Sequence, residues 1–78
     1  MTVAPDGTDR MLDTSFMTAA LRTLSGEHRE VLLECYYRGA SVADAAQRLG
    51  IPPGTVKSRT HYALRALKAA LAQMGALS

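Results

Sequence analysis

The sequence predicts an all-α domain of four helices, and three observations support this fold class. Hydrophobic residues make up 47% of the 78 positions, yet only four residues are aromatic and Trp is absent. Alanine and leucine dominate the second half of the chain, which favours packed helices over sheets because both residues have high helix propensity. Apolar residues recur at spacings of three and four, with Gly, Pro and Ser between the periodic segments. We therefore expect one small helical domain with a modest core.

The N-terminal part of the chain divides into a lead and a first helix. Residues 1–13 combine a Pro, a Gly and several acids without a sustained apolar period, so we interpret them as a flexible lead or linker. The folded domain is then expected to span residues 14–78. Its first helix can be capped by Thr14 or Ser15 and ends before Gly26. The apolar face of this helix consists of Met17, Ala20, Leu21 and Leu24.

A second helix is predicted from Glu27 to about Arg38. Ser25 can cap its start, Glu27 suits the positive end of the helix dipole, and Gly39 ends it. The residues expected on its buried face are Val31, Leu32, Cys35 and Tyr36. At this register Cys35 is interpreted as a small core residue rather than a redox sensor.

Two more helices follow. Ser41 can cap the third, and Asp44 three residues later completes a capping box. The third helix is expected to end at Gly50, and its buried stripe consists of Val42, Ala45, Ala46 and Leu49. The fourth and longest helix starts at the Pro pair 52–53 and continues to about Gln73, because Pro suits a helix start.

The segment 41–59 has the arrangement of a helix-turn-helix: a short helix, a turn containing Gly, and a long basic helix. Ala46 is small enough for the two helices to cross closely, Gly50 can adopt the left-handed conformation of the turn, and Val56 packs the second helix onto the first. An ordinary helical hairpin is the alternative. The capping box, the Gly, the Pro pair and the basic outer face together favour the helix-turn-helix.

The fourth helix has a buried side and an outer side. With Val56 at the centre of the buried side, the helical period adds Thr60, Ala63, Leu64, Leu67, Ala70, Leu71 and Met74. The outer side collects Lys57, Ser58, His61, Tyr62, Arg65 and Lys68. This side combines cations, hydroxyls and rings without an acid, which is typical of a surface that contacts phosphates and base edges in a major groove. A solvated helix face is the usual alternative for single cations.

Base readers are expected in the N-terminal part of a recognition helix. This criterion selects Lys57, Ser58 and His61. Contacts to the DNA backbone are expected from Thr55, Arg65 and Lys68. Arg59 lies at the edge of the buried side, where a phosphate contact, an ion pair with Asp44 and packing over the core all remain open.

Charge and composition exclude several classes of function. The net charge of +2 conceals an asymmetry, because residues 1–40 carry four Arg against six acids and residues 41–78 carry five Lys and Arg against one acid. A single cysteine permits neither an internal disulfide nor a cysteine zinc site. His28 and His61 fall on different helices without a ligand cluster, so we expect no metal and no cofactor. No catalytic group can be assembled, so we expect no enzyme. Without a signal peptide or membrane segment, the protein is expected in the cytoplasm, with no membrane insertion.

The segment GASVADAAQRLGIPPGTVKSRTHYALRALKAAL, together with ALRTLSGEHREVLLECYYR before it, resembles region 4 of the extracytoplasmic-function (ECF) sigma factors. The resemblance covers roughly residues 18–72, and GTVKSR at 54–59 is its most specific part. It implies a helix-turn-helix of the winged-helix-like, sigma region 4 type that binds the -35 promoter element. The residues implied for that contact are Lys57, Ser58, His61 and Tyr62. It also implies docking on the β flap of core RNA polymerase through the earlier helices, and sequestration by an anti-sigma factor.

The sequence departs from the family pattern at Val42, where many relatives carry an aromatic residue, and at Tyr62, where many carry Arg. Both departures bear on which bases are read. A complete factor also contains a region that reads the -10 element, so we expect the chain to be a fragment, with residues 1–13 derived from the linker between the two sigma regions.

Two alternative functions stay open at this point. The output domain of a response regulator has a similar four-helix arrangement with a Thr-Val-Lys segment, although GTVKSR favours a sigma factor. The fragment can also act chiefly as a protein-interaction module that an anti-sigma factor binds. The residues that either close the core or contact a partner are Leu12, Phe16, Met17, Tyr36 and Tyr37.

Overall fold

The structure, a computed structural model, describes residues 14–75. Its four α-helices are α1 (Thr14–Arg22), α2 (Gly26–Leu32), α3 (Val42–Leu49) and α4 (Pro53–Gln73), and a π-helical turn, Leu33–Tyr37, continues α2. This range contains no strand, and the predicted all-α, four-helix fold is confirmed. The predicted lead, residues 1–13, and the last three residues of the predicted domain lie outside the described residues.

Serine caps start two of the helices. The backbone N–H of His28 donates to Ser25 Oγ at 3.2 Å at the start of α2. The backbone N–H of Asp44 donates to Ser41 Oγ at 3.0 Å at the start of α3. Each bond satisfies a backbone donor that has no partner inside its helix. Both predicted caps are confirmed, and of the two bonds of the expected capping box the structure contains the one that Ser41 accepts.

The turn between α3 and α4 has the predicted geometry. Gly50 is left-handed, with φ 70° and ψ 33°, and its N–H donates to the carbonyl of Ala46 at 2.9 Å. The N–H of Ile51 donates to the same carbonyl at 3.1 Å. Pro52 is extended, with ψ 151°, and Pro53 occupies the first position of α4. The chain therefore reverses within three residues and starts a new helix without losing a needed backbone donor.

The π-helical turn corrects the prediction for the second helix. A continuous α-helix to about Arg38 was expected, but the α-helix ends at Leu32 and the N–H of Arg38 donates to the carbonyl of Leu33 at 2.9 Å, the i to i+5 spacing of a π turn. The wider turn rotates the side chains that follow. Tyr36, expected on the buried face, is 64% exposed, whereas Cys35 packs against the buried residues of α3. The placement of Tyr36 was wrong.

The helix α4 contacts every other helix, and the core forms along it in three clusters. The first cluster consists of Leu24, Val31, Leu32 and Ala63. The second consists of Ala20 and Leu71. The third consists of Ala45, Ala46 and Val56. Because α4 contributes a residue to each cluster, the burial of its apolar side holds the domain together.

One residue of the predicted buried side of α4 is misplaced. Leu64 was expected in the core but is 39% exposed, because its part of α4 faces a gap beside α1 and the π turn. The other predicted residues of that side are buried or half-buried. Within residues 14–75, none of the helices combines the length and the hydropathy needed to cross a membrane.

Candidate nucleic-acid interface

All eight predicted DNA-contacting residues lie on α4. Six are exposed: Lys57, Ser58, His61, Tyr62, Arg65 and Lys68. Thr55 and Arg59 are half-buried. The structure therefore brings the predicted site together as one continuous helix face, which we call the basic face and define by these eight residues. Their roles toward DNA stay predictions.

The angle of the basic face relative to the rest of the domain is set by small apolar contacts. Val56 is fully buried and packs with Ala45 and Ala46 of α3. Cys35, Ala40, Val42 and Ile51 surround this cluster. Alanine at the crossing point lets the two helix axes approach closely. The predicted roles of Ala46, Gly50 and Val56 in the helix-turn-helix are thus confirmed.

The charged side chains of α4 are all positive. Its sequence PGTVKSRTHYALRALKAALAQ contains four Lys or Arg and neither Asp nor Glu. Its N-terminus adds the positive end of the helix dipole, which favours anions. Ser58 Oγ donates to the carbonyl of Thr55 at 3.3 Å, which leaves the lone pairs of the hydroxyl exposed as acceptors. The face as a whole can attract phosphates and offer both donors and acceptors to base edges.

Arg59 does not form the ion pair that the sequence left open. Between residues 14 and 75 the ion pairs join Glu34 to Arg38 and to Arg48, each at 3.6 Å, and Asp44 takes part in neither. Among these residues, no acid therefore neutralises the guanidinium of Arg59. Packing of its stem over the core and a contact to phosphate are compatible with its half-buried position.

Two rings lie next to each other on the basic face. The centroids of His61 and Tyr62 are 5.2 Å apart, and the ring planes meet at 76°, an edge-to-face arrangement. Tyr62 is 57% exposed. Neither the contact nor its geometry is deducible from sequence, because neighbouring residues on a helix usually point in different directions.

Sequence reasoning missed two supporting residues. Arg29 Nε donates to the carbonyl of Leu21 at 3.1 Å, and its Nη2 donates to that of Leu24 at 2.9 Å, so one guanidinium satisfies the C-terminal end of α1. The Glu34 side chain is only 14% exposed and ties the π turn to Arg48 of α3. Each contact crosses between elements, so local sequence patterns carry no signal for it.

A second surface is apolar. An apolar groove of about 370 Å³ is lined by Met17, Leu21, Leu32, Leu33, Tyr36, Tyr37, Leu64 and Leu67. Leu64 follows Tyr62 by two residues and therefore points about 200° around the helix from it. In the described range no group of three or more His, Cys, Asp or Glu is placed to hold a metal ion.

Comparison with known proteins places this geometry in a family. Residues 20–69 match the family described as "Sigma-70, region 4", a range that includes all of α2 and α3 and the whole basic face. The chain is 51% identical over 71 residues to the ECF RNA polymerase sigma factor SigL of Mycobacterium tuberculosis, in the strains Erdman, CDC 1551 and H37Rv. The alignment covers 91% of this chain and 40% of each relative, so the chain spans well under half of their length.

The family fits the fold and the site as described. A sigma-70 region 4 domain is an all-α helix-turn-helix, which is the arrangement of α3, Gly50 and α4, and the resemblance to ECF sigma factors predicted from the sequence is confirmed. A response-regulator output domain is thereby excluded. Because the chain has this helical fold and helix-turn-helix and matches the family over more than half of its length, it belongs to the sigma-70 region 4 family.

Proposed function

We propose that this chain reads the -35 promoter element for a sigma factor and links that element to core RNA polymerase. The observation that carries the proposal is the basic face of α4, a continuous exposed surface with four cations and no acid, directly after a helix-turn-helix turn. This function is one of binding without a reaction, and it places the chain in the cytoplasm with the chromosome.

Base reading belongs to the first three turns of α4. Lys57 can donate to the O6 and N7 atoms of guanine. The Ser58 hydroxyl, whose hydrogen is directed at the Thr55 carbonyl, is free to accept a bond from an exocyclic amine of adenine or cytosine. His61 and Tyr62 follow on the next turn.

Positioning on the duplex belongs to contacts with the sugar-phosphate backbone. The residues assigned to it are Thr55, Arg59, Arg65 and Lys68. Each cation that displaces a counterion contributes to the salt dependence of binding. If all four Lys and Arg residues of α4 do so, log K falls with log salt at a slope of about -3 to -4. Affinity of the isolated chain is therefore expected to be weak near physiological salt and to rise when polymerase tethers it to the promoter.

Docking on polymerase is assigned to the apolar groove. The groove is built by the earlier helices α1 and α2, by the π turn, and by Leu64 and Leu67 of α4. Apolar surface of this kind on a small domain marks a protein contact. We assign it to the flap of the polymerase β subunit, so that the two partners occupy different sides of the domain.

A second function follows from the same two surfaces. An anti-sigma factor can inhibit the domain by covering the basic face, or it can hold the domain through the groove. An inhibitor that covers Lys57 and its neighbours abolishes DNA binding, whereas one that grips the groove leaves DNA binding intact and displaces polymerase. A competition experiment between inhibitor and duplex separates these modes.

The test of promoter reading is selection from a randomised duplex pool followed by sequencing, at low salt and near physiological salt. An enriched motif is expected with the wild-type chain. Lys57→Ala is expected to lose affinity by an amount that depends on sequence, while Lys68→Ala, the matched control on the same face, weakens all duplexes alike. Salt-sensitive binding without an enriched motif would contradict promoter reading and favour the protein-interaction function.

The test of the groove uses Tyr37→Asp, because Tyr37 is 84% exposed and its replacement leaves the core intact. Loss of binding to core RNA polymerase together with an unchanged DNA motif is expected. If the variant retained polymerase binding, the assignment of the groove would be wrong, and the assignment of the basic face would be unaffected.

A further inference from the structure

Five large apolar side chains are exposed in the described part of the chain. Four of them line the groove: Leu33, Tyr36, Tyr37 and Leu64. Tyr62 does not, and it stands alone among the cations and hydroxyls of the basic face. Because Tyr62 does not line the groove, its exposed apolar surface points to a contact of its own.

The local geometry of Tyr62 leaves its ring available to a ligand. Tyr62 as a whole residue is 57% exposed, and its ring contacts the ring of His61 edge to face, with centroids 5.2 Å apart. Its hydroxyl forms no hydrogen bond within residues 14–75. Ser58 precedes it by one helical turn and Arg65 follows by nearly one turn, so both sides of the ring border on groups assigned to DNA.

The major groove offers a single apolar group to such a ring. The faces of the bases are stacked inside a duplex, and their major-groove edges present hydrogen-bond donors and acceptors except for the C5 methyl group of thymine. The ring of an aromatic side chain on a recognition helix therefore finds its best apolar match at the thymine methyl group.

We propose that Tyr62 is a specificity-determining residue that packs against the C5 methyl group of a thymine in the recognised duplex. The inference rests on the proposed function and names the base that this part of the face selects. His61 acts as a positioning residue for Tyr62, because the edge-to-face contact restricts the ring before DNA binds and lowers the entropy lost on binding.

The test replaces each thymine of the selected duplex, one at a time, with deoxyuridine, which differs from thymine only by the missing methyl group. At one position the wild-type chain is expected to lose about three- to four-fold in affinity, the loss that corresponds to one buried methyl group. Tyr62→Ala is expected to bind the two duplexes equally. Tyr62→Phe keeps the ring and is expected to keep the discrimination, and His61→Ala is expected to reduce it.

Lys68→Ala is the control, since it weakens both duplexes and leaves their ratio unchanged. Circular dichroism of each variant shows whether it is folded. Wild-type affinity that is insensitive to deoxyuridine at every position, or a Tyr62→Ala variant that still discriminates, would overturn the inference. A sequence-specific motif without methyl dependence refutes the role of Tyr62 alone, whereas the absence of any motif refutes the proposed function as well.

Discussion

Replacing Gly50 with Ala is expected to destabilise the domain, whereas the same replacement at Gly54 is expected to stabilise it. Gly50 has φ 70° in the turn of the helix-turn-helix, while Gly54 lies in the first turn of α4 without a positive φ. A Cβ added at either position would meet nothing within 4 Å. Collisions with neighbours are therefore absent at both sites, and backbone conformation alone decides the sign.

The magnitudes follow from two opposing terms. A left-handed conformation destabilises an L-residue by about 1–2 kcal/mol. Replacing Gly with Ala also lowers the entropy of the unfolded chain, which stabilises the folded state by about 0.4–1 kcal/mol. Gly50→Ala should therefore lose about 1 kcal/mol, equivalent to about 4–8 °C in Tm for a domain of this size. At Gly54 the left-handed cost is absent and helix propensity favours Ala, so a gain of about 0.5–1 kcal/mol is expected.

Urea and thermal unfolding followed by circular dichroism measure both variants against the wild-type chain. Gly50→Asn provides an intermediate case, because Asn tolerates the left-handed region better than Ala. Opposite shifts for the two Ala variants, with Asn between Gly50→Ala and wild type, support the turn geometry. Shifts of the same sign at both positions would refute the reasoning.

Three further substitutions test contacts that support the basic face. Val56→Ala removes two methyl groups from a fully buried site and should lower the free energy of unfolding, measured in urea, by about 2 kcal/mol. A decrease under about 0.5 kcal/mol would mean that α3 and α4 are not tightly packed there. Arg29→Lys keeps the charge, but an ammonium group cannot bond to both carbonyls as the planar guanidinium does, so the free energy of unfolding should fall by about 1–2 kcal/mol. Amide exchange in α1 should become faster, and unchanged exchange would contradict this role of Arg29. Ser41→Ala removes the cap of α3 and should lower stability by about 1 kcal/mol, whereas Ser41→Asp should restore it.

The parts of the fold that the sequence predicts depend on interactions between residues close together in the chain. Ser25 and Ser41 cap helices through a bond to a residue three positions away, and Gly50 ends α3 through its own backbone angles. The basic face was predictable for the same reason, because a single period of one helix determines which side chains share a side. Its exposure is observed, and the part that each residue plays toward DNA stays a prediction.

The parts that escaped prediction depend on contacts between elements. No residue type marks the π turn, so the rotation of Tyr36 away from the core could not be anticipated. Leu64 follows the apolar period, but its exposure depends on how α1 and the π turn diverge from α4. From sequence alone Arg29 cannot be distinguished from other surface cations, because only the fold brings the carbonyls of Leu21 and Leu24 within its reach.

The basic face and the apolar groove share one helix, and under the proposed function this helix determines the direction of bound DNA. The 21 residues of α4 form a rod about 30 Å long, with proline only at its start and no internal cause for a kink. Tyr62 and Leu64 belong to that rod, so under the proposed function the angle between a duplex on the basic face and a polymerase element in the groove is fixed by helical phase. Inserting a single residue between them would turn one surface by about 100° relative to the other. Because α4 has core residues on both sides of that point, Val56 before it and Leu71 after it, such an insertion would also break the core, so the packing of the domain itself fixes the angle between the two surfaces.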